Sequence, residues 1–121
     1  MAAGIETLTQ LKNGDVFKAI NENTTYLVTE LNKLISKFNL PMSINHKGSM
    51  LSLFMTAAEV NSFEDVQKSD FKLFSKFFHL MLGNGIFLPP SQYETWFSSS
   101  CHLSLEIDKT LESFKNAIKE V

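Results

Sequence analysis

The sequence predicts an α+β domain, a small and mainly antiparallel sheet of three to four strands covered by helices. Three observations carry that prediction. Two long stretches, Phe17 to Phe38 and Phe71 to Met81, keep apolar residues at threes and fours, as amphipathic helices require. Between them, Ser43 to Asn45 and Met50 to Phe54 read as two short strands joined at a glycine turn. The order is helix, helix, two strands, helix, strand, loop, strand, helix, with no repeat and no linker, so 121 residues make one layered domain.

At the start, Ile5, Leu8 and Leu11 lie three apart on one helical face. No capping residue leads into this stripe, which is the look of the interior of a longer chain. Asn13 and Gly14 end the helix, and Asp15 is placed to cap the next. Phe17, Ile20, Leu27, Val28, Leu31, Leu34, Ile35 and Phe38 then form one apolar stripe, expected to pack on a sheet and to run until Pro41 stops the helix.

His46, Lys47, Gly48 and Ser49 are expected to turn the hairpin, with positive φ at Gly48 and His46 a solvated turn residue. Thr56 to Lys68 is a polar connection in which Val60, Phe63 and Val66 suggest one or two helical turns. Ser69 or Asp70 caps the following helix, whose buried face takes Phe71, Phe74, Phe78 and Met81, widened by Leu73, Phe77 and Leu80. His79 lies beside that face. Gly83, Asn84 and Gly85 end the helix.

The stretch Gly85 to Phe97, G-I-F-L-P-P-S-Q-Y-E-T-W-F, is the candidate site. Ile86 to Leu88 reads as a short strand. Pro89 and Pro90 lack backbone donors and hold φ, so they end it. A rigidly led polar loop of Ser91, Gln92, Tyr93 and Glu94 follows, and such loops between structured flanks are where binding groups are placed. Phe97 to Cys101 is expected as a strand, and Ser104 as the cap of a last helix that buries Ile107, Leu111, Phe114 and Ile118. Glu106 and Asp108 stand in its first turns, where the helix dipole favours them.

Composition narrows the chemistry. With 44% hydrophobic and 20% charged residues the chain reads as globular, and its formal charge is −2. All eleven basic residues are scattered lysines; without arginine there is no bidentate fork for phosphate or guanine, which argues against nucleic-acid binding. No apolar run reaches the roughly 20 residues of a membrane span, and no leader pattern opens the chain, so a cytoplasmic location is expected. The single Cys101 has no disulfide partner within the chain, and its neighbour His102 would point to the other face of a strand. No glycine-rich phosphate loop, paired-cysteine motif, His-x-x-x-His spacing or Gly-x-Ser-x-Gly elbow is present, and no metal site is expected.

Several runs together resemble the carboxyl-terminal part of glutamate-1-semialdehyde 2,1-aminomutase, a pyridoxal-phosphate isomerase of the aminotransferase superfamily with fold type I. These are M-A-A-G-I-E-T-L at the start, N-H-K-G-S-M-L-S-L-F at 45–54 and S-D-F-K-L-F-S-K-F-F-H-L-M-L at 69–82, followed by L-P-P-S-Q-Y-E-T-W-F-S-S-S-C-H at 88–102 and I-D-K-T-L at 107–111. The resemblance runs through essentially the whole chain, in order.

It implies that residues 1–121 are the small domain of a longer enzyme, residues 1–12 being the end of a segment from a missing large domain. It also implies a homodimer, pyridoxal 5'-phosphate as cofactor, and conversion of glutamate-1-semialdehyde to 5-aminolevulinate for tetrapyrroles. Glu94 is implied to face the cofactor and the amino-bearing substrate, with Ser91 and Gln92 as supporting substrate-binding candidates. The Schiff-base lysine, the acid at the pyridine nitrogen and the phosphate-binding groups belong to the large domain, so this chain alone is expected to hold no cofactor and to be inactive. The alternatives are a stand-alone, non-catalytic α+β binding or interaction module, and the small domain of another aminotransferase of the same superfamily.

Overall fold

A computed structural model describes residues 1–121. The elements are α1 (Ala2–Leu11), α2 (Asp15–Phe38), β1 (Ser43–Lys47), β2 (Met50–Phe54), α3 (Phe63–Gln67), α4 (Phe71–Gly83), β3 (Trp96–Phe97) and α5 (Ser104–Ala117). The sheet is antiparallel in the order β1-β2-β3, pairing Ile44 with Leu53 and Leu51 with Trp96. The α+β class and the three-stranded antiparallel sheet follow the sequence expectation.

Period-two alternation divides the core. Leu51 and Leu53 of β2 point to the main cluster, where they meet Leu27, Val28 and Leu31 of α2, Phe74, Phe77 and Met81 of α4, and Leu111 and Phe114 of α5. Helix α2 lies against α5, β1 and β2, and α5 also packs on α4. Phe54, on the other face of β2, forms a small second cluster with Val60 and Val66. The connection after β2 thus covers the sheet's second face, and its helical turn is α3. Ser62 caps that turn by accepting from the Asp65 N–H.

The element ends depart from the sequence reading in ways that local chemistry explains. Gly14, at φ +81, is the N-cap of α2 in place of Asp15, which is instead held by the Asn13 side chain. Asn39 ends α2 two residues before Pro41: at φ 50 it is left-handed, and its N–H and that of Leu40 return to Ser36 O and Ile35 O. The stripe of α2 is narrower than expected, since Phe17 and Phe38 are exposed at 53% and 49%. In α4 the buried line is Phe74, Phe77 and Met81, while Phe71 is exposed.

The hairpin turn is tighter than expected. Gly48, at φ +60, and Ser49 suffice, so His46 and Lys47 stay in β1. Ile86 to Leu88 forms no strand, because it leaves the turn at Gly85 with no strand edge beside it and runs at once into the prolines. Phe97 to Cys101 is likewise corrected. The ladder ends at Phe97, Ser98 N–H still reaches Ser49 O, and the chain then turns with His102 N–H on Ser99 O. Leu103, not Ser104, is the N-cap of α5, and the Glu106 carboxylate accepts its N–H.

Candidate functional site

The loop at Ser91–Glu94 is built by three consecutive side chains that leave in different directions. Ser91 turns back on its own segment, its Oγ accepting from Tyr93 N–H at 3.2 Å and its carbonyl from Glu94 N–H at 3.1 Å. Gln92 points inward and is 2% exposed. Its Oε1 accepts from Met55 N–H at 2.6 Å and its Nε2 donates to Asp70 O at 3.4 Å. Tyr93 points outward, its ring lying between Phe63 and Phe71 with centroids 5.2 and 5.3 Å away.

Glu94 follows on the rim of a groove of about 400 Å³. Leu27, Leu51, Leu88, Trp96 and Ile107 supply apolar walls. Position in the fold explains the groove: β3 is only two residues long, so the chains on either side of it diverge, one from α4 and one toward α5. Its charged lining residues are two carboxylates, Glu94 and Glu106, with no lysine or arginine among them. Glu106 is held by the Leu103 N–H at 3.0 Å. The Glu94 carboxylate takes part in no hydrogen bond or ion pair of the chain and is open to solvent. A carboxylate without a partner beside apolar walls attracts a cationic group and repels an anionic one.

Of the expected site residues, the structure therefore puts Glu94 on the groove. Gln92 is enclosed beneath the loop, and Ser91 is engaged with the loop's own backbone. His102 lines the groove too, but its Nδ1 accepts from Ser99 N–H at 3.1 Å, and Cys101 is exposed in the same turn rather than on a strand. His46 is exposed at the end of β1, its Nε2 donating to Gly48 O at 2.8 Å. His79 is exposed against the edge of Phe78. No three His, Cys, Asp or Glu side chains come together as a metal cluster.

The sequence reading missed the far wall of the groove, made by His102, Glu106, Ile107 and Thr110. Glu106 carried one usable signal, its spacing of three from Leu103 at a helix start, which marks a capping carboxylate. Nothing local ties α5 to the proline-led loop, because the two meet only through tertiary packing.

No protein-family model matches the chain. Over all 121 residues it is 38% identical to glutamate-1-semialdehyde 2,1-aminomutase 1 of Staphylococcus epidermidis. It is 39% identical to the corresponding protein of Staphylococcus carnosus and 35% identical to the aminomutase of Aquifex aeolicus. In each case it spans 28% of the relative's length, so it is little more than a quarter of these proteins. Among solved structures, the internal-aldimine form of the Sphingopyxis FumI protein superposes with a TM-score of 0.80 at 20% identity, over 99% of this chain and 26% of that one. A glutamate-1-semialdehyde aminomutase from Pseudomonas aeruginosa gives 0.78 at 11% identity, over 88% and 24%. At those identities the structures speak for the fold alone, which is that found within pyridoxal-phosphate aminotransferases of fold type I. Along its whole length this chain is therefore similar in sequence to the carboxyl-terminal part of the glutamate-1-semialdehyde 2,1-aminomutases.

Proposed function

We propose that the chain acts as the carboxyl-terminal small domain of a pyridoxal-phosphate aminomutase that converts glutamate-1-semialdehyde to 5-aminolevulinate, in the cytoplasm and within a homodimer. The observation that carries the reading is the Glu94 carboxylate, left without a partner on the rim of the groove. It supports a role in which Glu94 holds the amino-bearing end of the substrate and discourages a second carboxylate. The apolar walls beside it exclude water when the domain closes on the rest of the enzyme.

Pyridoxal phosphate does not fit the groove of this chain by itself. No lysine lines it to supply the amine, and no arginine or glycine-rich loop is there to cradle a phosphate. The groups that hold the cofactor are therefore assigned to the larger part of the enzyme. Residues 1–12 fit the end of the segment leading from that part. Their helix, α1, buries none of its residues, and Ile5 and Leu8 are exposed at 62% and 70%. By itself the chain is expected to be inactive.

The test is Glu94→Gln in an enzyme of the relatives' length that carries this domain. Losing a charged hydrogen bond of about 1.5–3 kcal/mol should lower kcat/KM for the semialdehyde by roughly ten- to a hundredfold and relax the discrimination against dicarboxylic amino compounds. Unchanged kinetics would remove Glu94 from the site.

A further inference from the structure

We infer that Gln92 and Tyr93 are positioning residues, which set where the Glu94 carboxylate stands without touching the substrate themselves. This rests on the reading of Glu94 given above. Both ends of the Gln92 amide are engaged beneath the loop, on Met55 N–H and Asp70 O. Met55 directly follows β2, and Asp70 is the N-cap of α4, whose own N–H donates to Met55 O at 2.9 Å. One side chain thus ties the loop to the junction of sheet and helix. To reach a ligand in the groove it would have to leave a buried N–H without a partner, which proteins avoid.

Tyr93 clasps the same loop from outside. Its ring stacks on Phe63 of α3 at an interplanar angle of 26° and meets Phe71 of α4 at 36°, while its hydroxyl makes no hydrogen bond within the chain. The ring, then, is what the position uses. With Gln92 fastened inside, Tyr93 gripped outside and Glu94 N–H closed onto Ser91 O, the backbone of Glu94 is held from two sides while its carboxylate stays free. A group fixed by its neighbours' packing and hydrogen bonds is what precise substrate positioning requires.

The test is a double-mutant cycle in an enzyme of the relatives' length that carries this domain. Met matches the shape of Gln but neither accepts from Met55 nor donates to Asp70. Gln92→Met should lower kcat/KM for the amino-bearing substrate by about ten- to a hundredfold, the scale of a misplacement of about 1 Å. In a Glu94→Gln background the same change should cost less than about twofold. Tyr93→Phe should keep the wild-type value, and Tyr93→Leu, made at a ring that is half exposed, should behave as Gln92→Met does. It carries the cycle should Gln92→Met fail to fold.

A loss of equal size in both backgrounds overturns the inference, because residues acting on the substrate directly or on the fold as a whole add to the Glu94 effect. If Glu94→Gln alone leaves the kinetics unchanged, the substrate role of Glu94 falls, and amide hydrogen exchange of the chain then decides the positioning. Gln92→Met and Tyr93→Leu should speed exchange at Glu94 and leave Leu31 and Phe114 protected. Unaltered exchange at Glu94 overturns it.

Discussion

The Oε1 atom of Gln92 accepts from the Met55 N–H at 2.6 Å, joining residues 37 positions apart at the edge where sheet, helix and loop meet. Met55 and Gln92 are each 2% exposed, so water does not replace this bond when it is lost. Gln92→Ala should therefore destabilise the domain by about 1–3 kcal/mol, the cost of an unsatisfied buried donor. Urea unfolding should show a lower midpoint at an unchanged slope.

Phe77 and Phe114 meet edge to face with centroids 5.6 Å apart, and neither is exposed at all. Phe114→Ala should cost about 3–5 kcal/mol through lost transfer energy and the cavity left between α4 and α5. Phe17→Ala, made at an exposed ring of α2, should stay within about 0.5 kcal/mol. Comparing the two in one denaturation series checks that the core lies where α2, α4 and α5 converge.

Asp65 supplies a pH test. The hydrogen bond from Lys68 Nζ, then the Asn61 N–H and the Ser62 hydroxyl, lower its pKa from the ordinary 3.8 to about 2. A depressed carboxyl favours the fold in its ionised form, so its contribution is complete above pH 3.8 and is lost as the pH falls toward 2. Asp65→Asn should flatten the acid dependence of stability in that window. A side-chain carboxyl titration by NMR should place the Asp65 midpoint well below the ordinary 3.8.

Mixing this chain with pyridoxal phosphate and reducing with borohydride should trap no single lysine in stoichiometric yield, since no lysine lines the groove. Scattered, substoichiometric labelling of surface lysines is the expected result. A specific one-to-one adduct would assign the chain a cofactor site of its own and overturn its predicted inactivity.

The helices and the hairpin were legible because their signals are local. Leu27, Val28 and Leu31 repeat at helical spacing, and Gly48 marks a turn that needs positive φ. Glu94 was singled out through the proline-led run in which it stands and the resemblance that run carries, and the structure puts it on a groove. Besides the helix caps and the edges of the apolar stripes, the failures were strands. Ile86 to Leu88 and Ser99 to Cys101 have no paired edge beside them, and pairing is decided by partners far along the chain.

What the sequence determined by itself, then, is the α+β class, the long helices and the hairpin in their order, and the run that carries the loop, because periodicity, glycine and proline act within a few residues. Tertiary structure alone decided that Gln92 faces inward onto Met55, that Tyr93 lies between Phe63 and Phe71, and that α5 closes the groove with Glu106 and His102. The physical reason is that the direction of a loop side chain follows no period. It is set by which buried donors are left to satisfy and which surfaces are left to cover once the helices have packed.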